Sequence, residues 1–374
     1  MRGSDMQILV TGSDGFIGKN LIVELQNQGF KKLLLCNRET TLERLKNYTN
    51  KCDVVIHLAG INRPKEEAEY QNGNVEFTRL LVDFLKDNPK SPMVIFSSSV
   101  QAGEENAYGK SKRQAEQILK QYTHERNTSV FIYRLPNVFG KWCKPDYNSV
   151  VSTFCHHIAH NEDIKIDREE ASITLVYIDD ILRSIIEQLV SRRASGIVYQ
   201  ELPELYHLTV GELADIIKKF KDFRNNLEIP DLSNLLEKKL YATYLSYLPE
   251  NEFKFPLKMN KDQRGSFTEF LRSKEKGQIS INVTKPGITK GNHWHHTKTE
   301  KFLVVKGKAL IRLRHMVTGK MIECSVSDAD FEVVDIPVGY AHNITNVGQE
   351  DLVTVMWTNE MFDSENPDTY YEEV

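Results

Sequence analysis

The stretch 287–307, GITKGNHWHHTKTEKFLVVKG, constrains this chain more than any other. Glycines bracket it, His293 and His295 are separated by a single residue, and Glu300 follows shortly after. In a β-strand, residues i and i+2 point to the same face, so the two imidazoles can enter one cavity. Phe302-Leu303-Val304-Val305 reads as the next buried strand, entered just after Glu300. A third imidazole, His342, ends the segment Pro337-Val338-Gly339-Tyr340-Ala341-His342. Together these side chains make an N/O donor set suited to zinc or another divalent transition metal. A lone H-x-H would be read as a pair of surface or core histidines. The downstream histidine segment turns the reading toward a metal.

The spacings closely resemble the cupin family. Its first motif, G-x5-H-x-H-x4-E-x6-G, falls on Gly287, His293, His295, Glu300 and Gly307. Its second, G-x5-P-x-G-x2-H-x3-N, is met by Pro337, Gly339, His342 and Asn346, with Phe331 in place of the leading glycine. That departure touches a turn and not a ligand. The resemblance implies metal ligation by His293, His295, Glu300 and His342.

A chain of 374 residues is comfortable for two domains. Its 48 basic and 52 acidic residues leave a formal charge of −4, so nothing suggests a nucleic-acid or anionic-membrane partner. No apolar run approaches the roughly 18–20 residues of a membrane span, and no signal peptide is expected. Residues 1–5, MRGSD, read as an added tag ahead of Met6. The five cysteines are odd in number and scattered, as expected for reduced thiols in a cytoplasmic protein.

The N-terminal half has a different grammar. Residues 7–11, QILVT, form a short apolar run that leads into Gly12-Ser13-Asp14-Gly15-Phe16-Ile17-Gly18. A helical pattern follows, with Ile17, Leu21, Ile22 and Leu25 on one face. Strand, glycine loop and helix are the context in which such a loop binds a dinucleotide. The glycines allow close approach, and the helix N-terminus offers free N–H groups to a pyrophosphate. The second strand, Lys32–Cys36, is followed by Asn37-Arg38. An NAD site would place an acid there for the ribose 2′-hydroxyl. Arg38 instead suits the 2′-phosphate of NADP, or is a solvated surface arginine.

Asp53-Val54-Val55-Ile56-His57-Leu58-Ala59-Gly60 is a strand ending in small residues, with His57 packed within it. A further strand opens into Ser97-Ser98-Ser99. Tyr108 and Lys112 then stand at i and i+4 on the start of a helix, so they share one face. A nearby ammonium is expected to lower the tyrosine pKa and make it a proton donor or acceptor near neutrality. Taken alone, Y-x3-K is common and structural. His156 and His160 also stand at i, i+4 but lack a nearby acid motif. Thr209-Val210-Gly211-Glu212 is a capping box.

Residues 7–245 resemble the extended short-chain dehydrogenase/reductase family through TGSDGFIG, HLAG, Asn74, FSSS, YGKSK, RLPNVFG and LVYIDDI. The resemblance implies a Rossmann-like, doubly wound parallel α/β sheet. It implies a catalytic set of Ser99, Tyr108 and Lys112. It places the cofactor against Gly12, Gly15, Phe16, Ile17, Gly18, Asn37, Arg38, Leu58, Ala59, Gly60, Tyr108 and Lys112. Asn137 and Lys144 would face the nucleotide-sugar, or be ordinary loop polarity. The acidic pair of the family's dehydratases is absent, since Val100-Gln101 follow the serines. Reduction by exchangeable NADPH is the best fit.

From Leu257 the chain reads as short strands and turns, with runs at 279–284, 302–305, 309–314, 331–336 and 352–357 that suit a jelly roll. Asp262-Gln263-Arg264-Gly265-Ser266-Phe267-Thr268-Glu269 resembles a stretch of the nucleotide-sugar 3-/3,5-epimerase cupins. Arg264 and Glu269 are therefore candidate substrate contacts, or partners in a surface salt bridge. The expected organisation is a reductase domain over 6–245, a linker over 246–257 and an all-β metal cupin over 258–374.

Taken whole, the chain resembles the bifunctional capsular-polysaccharide precursor enzymes. That implies a UDP-linked 4-keto-6-deoxy-N-acetylhexosamine as substrate, epimerised at C3 by the cupin and reduced at C4 by the first domain. The implied product is UDP-2-acetamido-2,6-dideoxy-L-talose, on the way to UDP-N-acetyl-L-fucosamine. Family and fold imply a homodimer. His296, Lys298 and Tyr340 lie near the ligands in sequence, and none is singled out as the C3 acid or base. The rival readings are a ketoreductase with a structural cupin and a non-catalytic nucleotide-sensing protein.

Overall fold

The computed structural model describes residues 5–190, 195–202, 204–365 and 367–374. The chain forms two compact units. One is Met1–Ile217 with Lys239–Leu248, the other Lys218–Lys238 with Pro249–Val374. Lys218–Lys238, which the sequence reading placed in the N-terminal part, thus groups with the second unit. Among the described residues no helix is long and apolar enough to cross a membrane.

The first unit is built on a parallel sheet. Its strands are β1 (Gln7–Thr11), β2 (Lys32–Cys36), β3 (Val54–His57), β4 (Met93–Ser99) and β5 (Ser129–Leu135). After β6 (Asn137–Phe139) and β7 (Ser172–Tyr177), the sheet is completed by β8 (Gly196–Tyr199), in the order β2-β1-β3-β4-β5-β8. β6, β7 and β9 (Leu205–Thr209) form a separate small sheet. Both faces of the main sheet are covered, which explains its continuous apolar runs. Ile8 and Val10 join one core with Leu21, Leu25 and Ile56, while Leu9 joins the other with Val55, Leu81 and Leu119. The order of the first strands puts a topological switch point between β1 and β3, where open α/β sheets bind ligands beyond the strand ends. The glycine loop leaves β1 at that point.

Local chemistry fixes the helices that matter. Asn106 caps the helix Ala107–Arg126 by accepting from Gly109 N at 2.7 Å, and Asn127 ends it in the left-handed region at φ 49°. Tyr108 and Lys112 thereby occupy its first turns. At the capping box, Thr209 N donates to Glu212 Oε2 and Glu212 N donates to Thr209 Oγ1.

The second unit is a pair of antiparallel sheets. Its strands are β10 (Met259–Asp262), β11 (Gly265–Ser273), β12 (Gly277–Thr284), β13 (Thr289–Trp294), β14 (Glu300–Lys306) and β15 (Lys308–His315). They continue with β16 (Met321–Ser327), β17 (Val333–Ile336), β18 (Tyr340–Asn346), β19 (Leu352–Thr358) and β20 (Tyr370–Tyr371). The sheet orders are β10-β11-β12-β19-β14-β17 and β16-β15-β18-β13-β20. Phe302, Val304, Ile336 and Leu352 of one sheet meet Ala309, Ile311, Leu313 and Ile344 of the other in a single core, as expected of a double-sheet roll.

Candidate active sites of the two units

In the first unit the glycine loop closes tightly on β3. Gly12 stands at φ 70°, and a Cβ there would lie 2.8 Å from Ala59 N. A Cβ on Gly18 would meet Gly12 O at 2.3 Å. Side chains are therefore excluded at both places, and backbone is left facing the space above the sheet. The helix Phe16–Asn27 starts there with an uncapped N-terminus, a suitable partner for a phosphate.

Two cavities share this loop. One, of about 830 Å³, is lined by Gly12, Gly15, Asn37, Arg38, Leu58, Ala59 and Gly60. The other, of about 540 Å³, runs from Gly12, Phe16, Ile17 and Gly18 to Ser99, Tyr108 and Lys112, and on to Asn137 and Lys144. The fold thus gathers every cofactor and substrate position proposed for this unit around two adjoining spaces. Asn37 braces the loop: its Nδ2 donates to Asp14 at 2.9 Å and its Oδ1 accepts from Glu39 N. Asp14, Asn62, Gln101, Trp142 and Tyr147 also line these spaces. Sequence reasoning assigned none of them a role of its own, since none stands at a telling spacing.

The three serines at the end of β4 separate by partner. Ser97 Oγ donates to His57 O, Ser98 Oγ donates to Glu116, and Ser99 Oγ accepts from Gln101 N at 3.2 Å while lining the same cavity as Tyr108. Lys112 is buried, donates to Ser97 O at 2.9 Å, and lies 6.0 Å from the centre of the Tyr108 ring. Burial lowers its ammonium to about 8, against the opposing pull of Glu116. Glu116 is itself buried and held by both arms of Arg134 at 3.0 and 2.7 Å.

Tyr108 departs from expectation. Its phenol is pushed up, by burial first, with Ser99 pulling the other way and Tyr70 adding to the rise. The helical spacing to Lys112 is present, but the shift is set by desolvation and not by the ammonium. His57 is a packed residue: its ring nitrogens meet Thr11 Oγ1 at 2.7 Å and Thr78 Oγ1 at 3.0 Å, and burial lowers it to about 3. His157 is flanked by Asp146 and Glu162, while the His156 and His160 rings lie 4.0 Å apart.

In the second unit four side chains converge. One potential ligand atom from each of His293, His295, Glu300 and His342 lies within 4.8 Å of all the others, the one such group found among the described residues. His293 and His342 face each other across β13 and β18, and Glu300 comes from β14 on the opposite sheet. His295, Glu300 and His342 are buried. Glu300 Oε2 lies 2.9 Å from His342 Nε2 and 3.4 Å from His295 Nε2, yet none of these three atoms has a properly directed hydrogen bond. Buried polar atoms aimed at one point without partners fit a cation between them. The opposite ring nitrogen of His295 is bonded to Asp368 O, which leaves Nε2 to ligate. Burial, and then His342, lower His293 to about 4, so it is the neutral, ligating form at pH 7. For Glu300, burial acts upward, but the closeness of His295 and His342 prevails and holds it below its ordinary range.

The Asp368 carboxylate accepts from the backbone N–H groups of His296, Thr297 and Lys298 at 2.7–2.9 Å. The C-terminal segment is thereby bolted behind the cluster. A cavity of about 340 Å³ opens beside His293 and His342 and is lined by Asp262, Arg264, Asn282 and Lys290 among others. Arg264 reaches it while paired with Asp262 at 2.6 Å. Glu269 is not among its lining residues and pairs with Arg272 instead. Nor do His296, Lys298 or Tyr340 line it. His296 packs on Trp294 and Tyr370, Lys298 Nζ donates to Thr369, and Tyr340 packs on His315.

Comparison with known proteins agrees with both halves. Residues 8–199 match the NAD dependent epimerase/dehydratase family, and residues 260–370 match the polysaccharide biosynthesis C-terminal domain. The chain is 41% identical over 365 residues to UDP-2-acetamido-2,6-beta-L-arabino-hexul-4-ose reductase of Pseudomonas aeruginosa, covering 98% of each. It is 48% identical to the crystal structure of the capsular polysaccharide assembling protein CapF from Staphylococcus aureus. That match has a TM-score of 0.91 and covers 99% of this chain and 100% of the other. A UDP-N-acetylglucosamine 4-epimerase from Bacillus cereus, at 20% identity and a TM-score of 0.54, shares the fold over 67% of this chain and 99% of its own. The chain therefore belongs to the NAD dependent epimerase/dehydratase family, in the CapF-type form that carries a polysaccharide biosynthesis C-terminal domain.

Proposed function

We propose that this protein converts a UDP-linked 4-keto-6-deoxy-N-acetylhexosamine by C3 epimerisation in the second unit and NADPH-dependent C4 reduction in the first. The product would be UDP-2-acetamido-2,6-dideoxy-L-talose, a capsular precursor. One observation carries the reading. A reductase pocket lined by Ser99, Tyr108 and Lys112 shares the chain with a largely buried His293/His295/Glu300/His342 cluster beside its own cavity. The similarity to the P. aeruginosa reductase and to CapF supports the same substrate class.

In the first unit, Tyr108 gives its phenolic proton to the C4 oxygen, and Ser99 hydrogen-bonds that oxygen. Lys112 holds positive charge beside them. NADPH, when bound, supplies the hydride. Arg38 stands at the edge of the cavity beyond β2, where a guanidinium can take a 2′-phosphate bidentately. Arg38→Ala is accordingly expected to raise the KM for NADPH by about tenfold or more and that for NADH little, since a charged hydrogen bond is worth roughly 1.5–3 kcal/mol. Equal changes for the two cofactors in steady-state assays would remove Arg38 from this role.

In the second unit the C3 proton is acidic because it lies next to the C4 ketone. A divalent ion held by His293, His295, Glu300 and His342, zinc by donor type, would polarise that carbonyl when bound. Arg264, which lines that cavity, would meet the substrate there. Reduction at C4 removes the ketone, so C3 loses its acidity and the new configuration is locked. That is a physical reason to join the two activities in one chain.

The deciding experiment is one reaction in D2O, with and without NADPH, followed by NMR. Deuterium at C3 without NADPH, and a C3-inverted, C4-reduced product with it, is the expected result. NADPH oxidation with C3 undisturbed would leave a simple ketoreductase.

A further inference from the structure

Epimerisation at C3 needs a base, and the side chains nearest the cluster in sequence do not reach its cavity. Of the titratable groups that line it, His293 and His342 belong to the cluster, Asp262 and Arg264 pair with each other, and Lys261 is exposed. Lys290 is the one that remains.

Its position depends on a bulge. β13 and β18 pair Gly291 with Asn343 and then His293 with His342, so Asn292 is an extra residue, at φ 60°. Strict alternation would send Lys290 and His293 to opposite faces. One inserted residue returns them to the same face, and both line the cavity. The Lys290 amine is then held by two acceptors, Asn282 Oδ1 at 2.7 Å and Val283 O at 2.9 Å. A neutral amine has two N–H donors and one lone pair. With both donors engaged, the lone pair is the part left for the cavity.

We propose that Lys290 is the base that removes the C3 proton, an assignment that rests on the epimerase reading above. The lone pair of Nζ forms the new N–H bond as the C3–H bond breaks. The released electron pair forms the C3=C4 double bond, and the C4 oxygen takes the negative charge. Water on the opposite face returns a proton to C3, the carbonyl re-forms, and the ammonium gives its extra proton to solvent. Desolvation lowers the Lys290 ammonium from its ordinary value, with Asp262 acting upward and Arg264 downward, so the neutral form is easier to reach.

The test is C3 deuterium incorporation from D2O without NADPH, using the full chain with its metal and the UDP-4-keto-6-deoxy-N-acetylhexosamine as probe. Lys290→Met removes the amine. Lys290→Arg keeps charge and donors for Asn282 and Val283, but a guanidinium does not give up its proton. Metal content and thermal melting report whether each variant is folded, and the Arg variant decides the matter should the Met variant not fold. Exchange is expected to fall by about 100-fold or more in both, the usual scale for a lost general base. Exchange in folded Lys290→Arg within about tenfold of the parent, short of that scale, overturns the assignment, because a cation alone then suffices. Absence of exchange in the parent protein overturns the epimerase reading itself, a separate outcome.

Discussion

Tyr108→Phe is expected to lower C4 reduction by about 10³-fold, within the range for loss of a positioned proton donor, while leaving C3 exchange intact. The substitution removes one hydroxyl and keeps the ring. The ring's neighbours, Tyr70 at 5.6 Å and Lys112 at 6.0 Å, are retained, so the pocket should hold its shape. What is lost is the hydroxyl of a residue that lines the reductase cavity together with Ser99. Because burial raises the phenol, Tyr108 stays protonated across the neutral range and can donate without prior ionisation. Lys112, lowered to about 8, loses its charge as pH rises through that value. The reduction rate of the parent should therefore decline on the alkaline side. Stopped-flow NADPH oxidation and NMR exchange, run on one preparation, separate the two activities. Loss of both in a folded variant would break the proposed division between the units.

Second in size is the metal. His295→Ala and His342→Ala should each cut metal affinity by more than the roughly 10–100-fold that loss of an outer-shell partner costs. Each removes one of the buried nitrogen atoms that converge on Glu300 and have no directed hydrogen bond of their own. Asp368→Ala should fall inside that 10–100-fold range, because Asp368 pins the turn that carries His295 through three backbone N–H groups. Elemental analysis after dialysis against a chelator reads the affinity directly. Thermal melting supplies a second signal. A chelator should lower the Tm of the parent, since a ligand of the folded state stabilises it, and should leave the two histidine variants unchanged. Full metal occupancy in either variant would refute the ligand set.

The parts of these sites that could be read in the sequence are those set by one local repeat. His293 and His295 share a face because the strand repeat is two. Tyr108 and Lys112 share one because the helix repeat is near four. The glycine loop announces itself because Gly12 and Gly18 stand where a Cβ would strike backbone. The apolar runs of β1 and β3 declare a sheet covered on both faces, and the short strands after residue 257 declare a different architecture.

Everything that depended on a distant partner waited for the tertiary structure. Lys290 reaches the cavity only because β13 pairs with β18 around an extra residue at Asn292, which the repeat of two cannot anticipate. Glu269 resembled a substrate contact, but Arg272 takes its carboxylate. Asp368 braces His295 from more than seventy residues away. Tyr108 has Lys112 one helical turn off, yet its proton is held more tightly than usual because of burial, which the whole fold creates. Short-range order is dictated by backbone geometry and is therefore written in spacing. Register, bulges and desolvation come from segments far apart in the chain packing together, so the same sequence leaves them undecided until the sheets close.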